Sequence, residues 1–176
     1  MKIESFLLLF VGVNIDLFSA RYTLLEDTGD ETVYLWSEPE PLVALNSPDG
    51  WESQPAVSPD GKWLYFAAVR PGTTVDQMGN PTIDILVSHM QDDGSWGAAS
   101  VLPAPVNTTY SDKAPYLHPD GHTLYFASNR IPSGGGYDIW VSRLDSTSLP
   151  TDTDAWSKPV NLGSPLNTSG DEHGLI

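Results

Sequence analysis

Residues Glu52 to Arg70 read E-S-Q-P-A-V-S-P-D-G-K-W-L-Y-F-A-A-V-R, and residues Asp112 to Arg130 read D-K-A-P-Y-L-H-P-D-G-H-T-L-Y-F-A-S-N-R. The two stretches align without a gap at a step of 60 residues. A repeat at this period constrains the fold more than any composition does. Each copy must be one supersecondary unit that buries its apolar surface against the next copy.

Each copy reads as strand, tight turn, strand. Ser58-Pro59-Asp60-Gly61 and His118-Pro119-Asp120-Gly121 supply the turn. Proline presets φ, aspartate bonds nearby backbone, and glycine accepts positive φ. Leu64-Tyr65-Phe66 and Leu124-Tyr125-Phe126 follow, mixing aromatic and aliphatic residues as strands do. A third element recurs as Asp84-Ile85-Leu86-Val87-Ser88 and Asp138-Ile139-Trp140-Val141-Ser142. A fourth opens on Trp36, Trp96 and Trp156, again 60 apart, and Glu52, Asp112 and Glu172 keep the same step. Four short strands per unit, a to d, predict an all-β protein made of β-propeller blades of four antiparallel strands each. Two blades are complete, blade one over 52–106 and blade two over 112–166. Partial blades flank them at both ends, and a third begins over 171–176. The expected architecture is an incomplete propeller spanning 36–176.

These motifs resemble the TolB-like, WD-repeat-like propeller repeats of bacterial envelope proteins. The likeness rests on Pro55 to Arg70 with Asp84 to Ser88, and on Pro115 to Arg130 with Asp138 to Ser142. It implies a periplasmic or extracellular binding and scaffolding module without catalysis of its own. Its implied partners are envelope proteins, either peptidoglycan-associated or in the outer membrane. Propellers host many activities, so a function must be argued from a site. One alternative is the propeller portion of a hydrolase, a peptidase or a polysaccharide lyase. Another is a glycan-binding module presenting Trp51 and Trp63.

The formal net charge is −15. That opposes nucleic acid as a partner, because Lys and Arg supply the main affinity for phosphate backbones. It opposes docking on anionic lipid for the same reason. Cysteine is absent, which excludes disulfides, thiolate metal sites and cysteine nucleophiles.

Residues 1–20 admit two readings. Met1-Lys2 followed by Phe6 to Val13 has the form of a short secretory signal, too short to span a membrane, so the mature chain would insert in none. Alternatively, Asp16 to Arg21 lines up with Asp138 to Arg143, which makes the segment strands b and c of a partial blade. The signal reading is narrowly preferred. Residues 21–35 carry Glu26, Asp27, Asp30 and Glu31 and read as a linker. About three blades fall below the four to eight of closed propellers. The chain is therefore expected to be a piece of a longer protein, or else an open arc or one that associates through its open blade edges.

No nucleophile elbow, zinc-protease motif or phosphate loop is present. His118 and His122 flank Asp120, but Ser58 and Lys62 take their places in the first copy, so they read as turn residues. His89 and His173 are isolated in the sequence. Gly134-Gly135-Gly136 reads as a flexible loop, and Asn107-Thr108-Thr109 and Asn167-Thr168-Ser169 are formal glycosylation sequons. The charges that recur are Glu52, Arg70, Asp84, Asp112, Arg130, Asp138 and Glu172. Propeller connections would gather them on one rim. There they form either an Arg–carboxylate lattice or a polar face for a peptide, a glycan or an oxygen-liganded cation such as calcium. No other cofactor is expected. Arg130 is expected to meet Asp112 or Asp138, and Arg70 to meet Glu52 or Asp84.

Overall fold

The computed structural model describes residues 3–9, 17–27 and 32–173. Among them all regular structure is β. The strands are β1 (Ile3–Leu9), β2 (Leu17–Asp27), β3 (Thr32–Trp36), β4 (Glu40–Pro41), β5 (Trp51–Val57), β6 (Trp63–Val69), β7 (Asp84–His89), β8 (Ser100–Val101), β9 (Asp112–Leu117), β10 (Thr123–Ser128), β11 (Asp138–Arg143) and β12 (Val160–Asn161).

They form three antiparallel sheets. The second runs β5–β6–β7–β8 and the third β9–β10–β11–β12, in chain order. In the first, β1, β2 and β3 are neighbours in that order, and β4 also pairs with β2. The sequence repeat reappears as register. Phe18 pairs with Pro41, Leu86 with Val101, and Trp140 with Asn161. The stretch expected as a linker is the main correction. Most of residues 21–35 lies in β2 and β3, because Tyr22-Thr23-Leu24-Leu25 and Val33-Tyr34-Leu35 are strand-forming runs. Of the acids that suggested a loop, Glu26 and Asp27 end β2, paired with Val33 and Thr32, and Asp30 and Glu31 lie outside the described residues. Of residues 1–20, those described lie in β1 and the start of β2, the pair foreseen by the partial-sheet reading. The start of a further unit keeps only residues 171–173 within the described part, outside any strand.

The two turns close as the sequence requires. Gly61 and Gly121 take φ of 73° and 74°. Each donates its N–H back to the first turn residue, Ser58 or His118. Beyond the turns, period-two alternation sorts side chains onto two faces. Leu64, Phe66 and Leu86 face the first sheet and pack with Leu17, Leu42 and Leu45. Tyr65, Ile85, Val87, Leu102 and Val106 face the third sheet and meet Leu124, Phe126, Trp140 and Trp156. Leu64, Phe66, Leu124 and Phe126 are all fully buried between sheets.

Candidate functional site

The recurring charges come together at one end of β6 and β10, mostly inside the protein. Glu52, Asp84, Asp112, Asp138 and Arg130 are buried, and Arg70 and Glu172 are half-buried. Arg130 Nη2 lies 2.6 Å from Asp112 Oδ1, and Arg70 Nη1 lies 3.5 Å from Glu52 Oε1. Arg130 also donates to the carbonyls of Pro105 and Val106, as Arg70 does to Leu45. Each arginine thus ties the end of its own strand b to the connection arriving from the preceding sheet. The Arg130 guanidinium lies over the Phe126 and Trp140 rings. The other acids serve loops. Asp84 accepts from the Thr74 N–H and hydroxyl. Asp138 accepts from Gly134 N–H and Asn161 Nδ2. Gly134 has no hydroxyl to offer, and Oδ1 of Asp138 is left buried without a donor. Burial pushes the Asp84 carboxyl above its ordinary value against the Thr74 bonds. Burial likewise raises Asp112, against the opposing pull of Arg130. These groups are consumed by the fold, which leaves little charge on this rim for a ligand.

A second device beside this rim was not read from the sequence. Asn107 Oδ1 accepts from Ile85 N–H at 2.8 Å, and its Nδ2 donates to the carbonyls of Ile85 and Leu102. Asn167 holds Ile139 the same way, and Asn46 holds Leu17. The next residue then turns onto the repeated acid: Ser47 N–H onto Glu52, Thr108 onto Asp112, Thr168 onto Glu172. Asn107 and Asn167 are buried, so the sequons are structural asparagines, not open acceptor sites. Their step of 60 residues was the available signal. The glycine run is also structural. A Cβ on Gly134 would lie 2.8 Å from the Thr168 carbonyl, and one on Gly135 would overlap the Ser169 backbone. The run must lack side chains because it packs against the next connection.

At the opposite end of the same strands, the second and third sheets leave a cleft of about 480 Å³. Ser58, Pro59 and Asp60 form one lip, and Pro119, Asp120, Gly121 and His122 the other. Trp63, Tyr65, Leu117 and Leu144 line the floor, and the loop Ser148-Leu149-Pro150 closes one end. Trp156 Nε1 donates to the Pro150 carbonyl at 2.9 Å, which pins that loop. Leu149 remains 55% exposed at its tip. Burial raises the Asp60 carboxyl, but donation from the Ser58 hydroxyl and Lys62 N–H outweighs it and leaves the group below its ordinary value. The Thr123 hydroxyl and the His122 N–H hold Asp120 well below the carboxylate range. His118 serves this turn, with Nδ1 3.3 Å from Asp120 Oδ2. Asp60 and Asp120 are therefore fixed negative charges near neutral pH. General acid–base work needs a pKa near the working pH, so they act as charge sources. The cleft presents an apolar floor between two anionic lips.

Comparison with known proteins adds no family: no family model matches the chain, and no curated protein matches it.

Proposed function

We propose that this chain is a non-catalytic binding module built of propeller blades of the TolB-like kind, working on protein partners in the bacterial envelope. The cleft between the two proline–aspartate–glycine turns carries this reading. Small ligand and peptide sites combine apolar walls with a few placed polar groups. Here the polar groups are ionised acids and the floor is aromatic and aliphatic. A short peptide segment with a Lys or Arg beside apolar residues matches both. The all-β architecture and the 60-residue repeat support blades; the resemblance of Pro55 to Arg70 and Pro115 to Arg130 supports the envelope as the setting.

Selection of a random peptide library on the immobilised chain tests this. Recovered peptides should share a basic residue next to apolar ones. Their binding should fall roughly 10-fold or more in Trp63→Ala, the size of effect expected for an aromatic anchor, and also fall in Leu149→Asp, which alters an exposed residue. Failure to recover peptides, or peptides indifferent to both changes, would overturn the reading.

A further inference from the structure

The acid that opens strand c keeps different company in the second and third sheets. In the second sheet that acid is Asp84. Its Oδ2 accepts from the Thr74 N–H, and its Oδ1 accepts from the Thr74 hydroxyl at 2.7 Å and the Thr82 hydroxyl at 3.4 Å. The Thr74 hydroxyl also lies 2.7 Å from the Thr108 carbonyl. It therefore ties the carboxylate to the connection that leaves the sheet.

In the third sheet Gly134 takes the part of Thr74, and Gly136 that of Thr82, so both hydroxyls are gone. Asp138 Oδ2 keeps the backbone bond from Gly134 and gains one from Asn161. Its Oδ1 has no such replacement. Asp138 is 1% exposed, and among the described residues no donor reaches that oxygen. The Thr168 carbonyl stands in for that of Thr108. A Cβ on Gly134 would lie 2.8 Å from it and 3.6 Å from Asp138 Oδ1. The two acceptors thus flank the side from which Thr74 serves both in the second sheet.

A third acceptor joins them. In the second sheet the Ile83 N–H donates to the Ser111 hydroxyl oxygen. In the third, the Tyr137 N–H donates to Oδ1 of Asp171 instead. A Cβ on Gly136 would overlap that oxygen, so the Asp171 carboxylate takes the room of the Thr82 side chain. The exchange removes two proton donors and adds a negative charge. The Asp171 charge acts on Lys113, but the Lys113 ammonium sits over the Tyr137 ring, 3.6 Å from its centroid.

We propose that Asp138 Oδ1, the Thr168 carbonyl and the Asp171 carboxylate bind a calcium ion, which ties the third sheet as the two threonine hydroxyls tie the second. A buried charged oxygen without a partner is costly, and a cation satisfies all three acceptors at once. Oxygen-only donors suit a hard cation. Calcium accepts about six to eight oxygens in irregular geometry, whereas magnesium demands a near-ideal octahedron. Asp171 is exposed, which gives the ion a way in and lets water complete its shell. Among the described residues no three acidic or histidine side chains converge on a metal site. The Thr168 carbonyl is therefore a needed ligand, and affinity falls in the weak range, on the order of 0.1–1 mM.

Thermal unfolding of chelator-treated protein, titrated with calcium chloride to about 10 mM, tests this. The melting temperature should rise saturably by roughly 3–7 °C, and magnesium chloride at the same concentrations should give a clearly smaller rise. Asp138→Asn keeps an acceptor for the Gly134 N–H, and Asp171→Ser installs the residue that the second sheet carries at Ser111. Each should abolish the calcium-specific rise, and Asp171→Ser alters an exposed position, so its folding is not in question. No rise with calcium, an equal rise with magnesium, or a rise retained in Asp171→Ser overturns the proposal. Ions that merely screen the acidic surface would give the last two results.

Discussion

Arg130 Nη2 sits 2.6 Å from Asp112 Oδ1, with Asp112 fully buried and Arg130 7% exposed. The pair is the better-formed of two copies, since Arg70 and Glu52 stand 3.5 Å apart and the Arg70 side chain is 16% exposed. Removing one member of a buried pair strands the other charge, at a cost of about 3–5 kcal/mol. Arg130→Met should therefore lower the free energy of unfolding by about that amount, and Arg70→Met by visibly less. Urea denaturation of both variants checks the ranking; equal losses would contradict it.

Asn107 holds a strand by its backbone. Asn107→Ala leaves Ile85 N–H buried without its acceptor, at about 1–3 kcal/mol, and takes one donor from the Ile85 and Leu102 carbonyls, of which the Ile85 carbonyl keeps the Leu102 N–H. Asn107→Asp should recover only part of the loss. A carboxylate still accepts from Ile85 N–H but cannot donate to the Ile85 and Leu102 carbonyls. Hydrogen exchange at the Ile85 amide should accelerate in the alanine variant and rise less in the aspartate variant.

Phe126 is fully buried in the seam between the second and third sheets. Phe126→Ala should cost about 3–5 kcal/mol, the range for truncating a core phenylalanine. An unchanged melting temperature would contradict its placement.

Gly135 has no room for a methyl group beside the Ser169 and Gly170 carbonyls. Gly135→Ala should cost about 1–3 kcal/mol through forced backbone shifts. A flexible loop would accept alanine at no cost, so thermal denaturation of this one variant separates the two.

Asp120 has a folded-state pKa below its ordinary value of 3.8, because Thr123 and His122 donate to its ionised form. Its stabilising contribution is complete above the unfolded value and is lost as the pH falls through the folded one. Asp120→Asn should therefore be less stable than the parent chain near pH 7, with the gap closing in acid below about pH 4. Asp84 and Asp112 run the other way, since burial raises both. Their contribution is complete below the unfolded value and diminishes as the pH rises through the folded one. Denaturant midpoints at the two pH values check the crossover for Asp120.

Much of this was legible in the sequence because the same residues recur in the same jobs. The turns, strands β6 and β10, the buried Leu-x-Phe pairs and the Arg130–Asp112 and Arg70–Glu52 contacts all follow from the 60-residue step, and β7 and β11 from the recurring Asp-Ile-x-Val-Ser motif. The rest depended on distance in space. Asn107 and Asn167 carried the step too, but the local tripeptide suggested a modification site, and only the approach of Ile85 and Ile139 reveals the clasp. Gly134 to Gly136 look slack until the connection at Thr168 to Asp171 is laid against them. The cleft has a wall, Ser148 to Pro150, in a connection longer than its counterpart after β7, so the repeat itself could not announce it. Glu26 and Asp27 hid the end of β2, because charge reads as loop even where it sits on a strand.

The asparagine clasp makes each sheet finish its own joint. The amide that secures the start of strand c belongs to the loop leaving strand d of the same sheet, so no neighbour is needed to complete it. A stretch of chain copied whole therefore arrives with its fastening, its turn and both contact faces already in place. Such a design lengthens by duplication, one unit at a time, and tolerates divergence in the outer loops while the joints stay alike. The one-residue difference between the Asn46–Asn107 and Asn107–Asn167 intervals is a small instance: the loop changed length and the fastening did not.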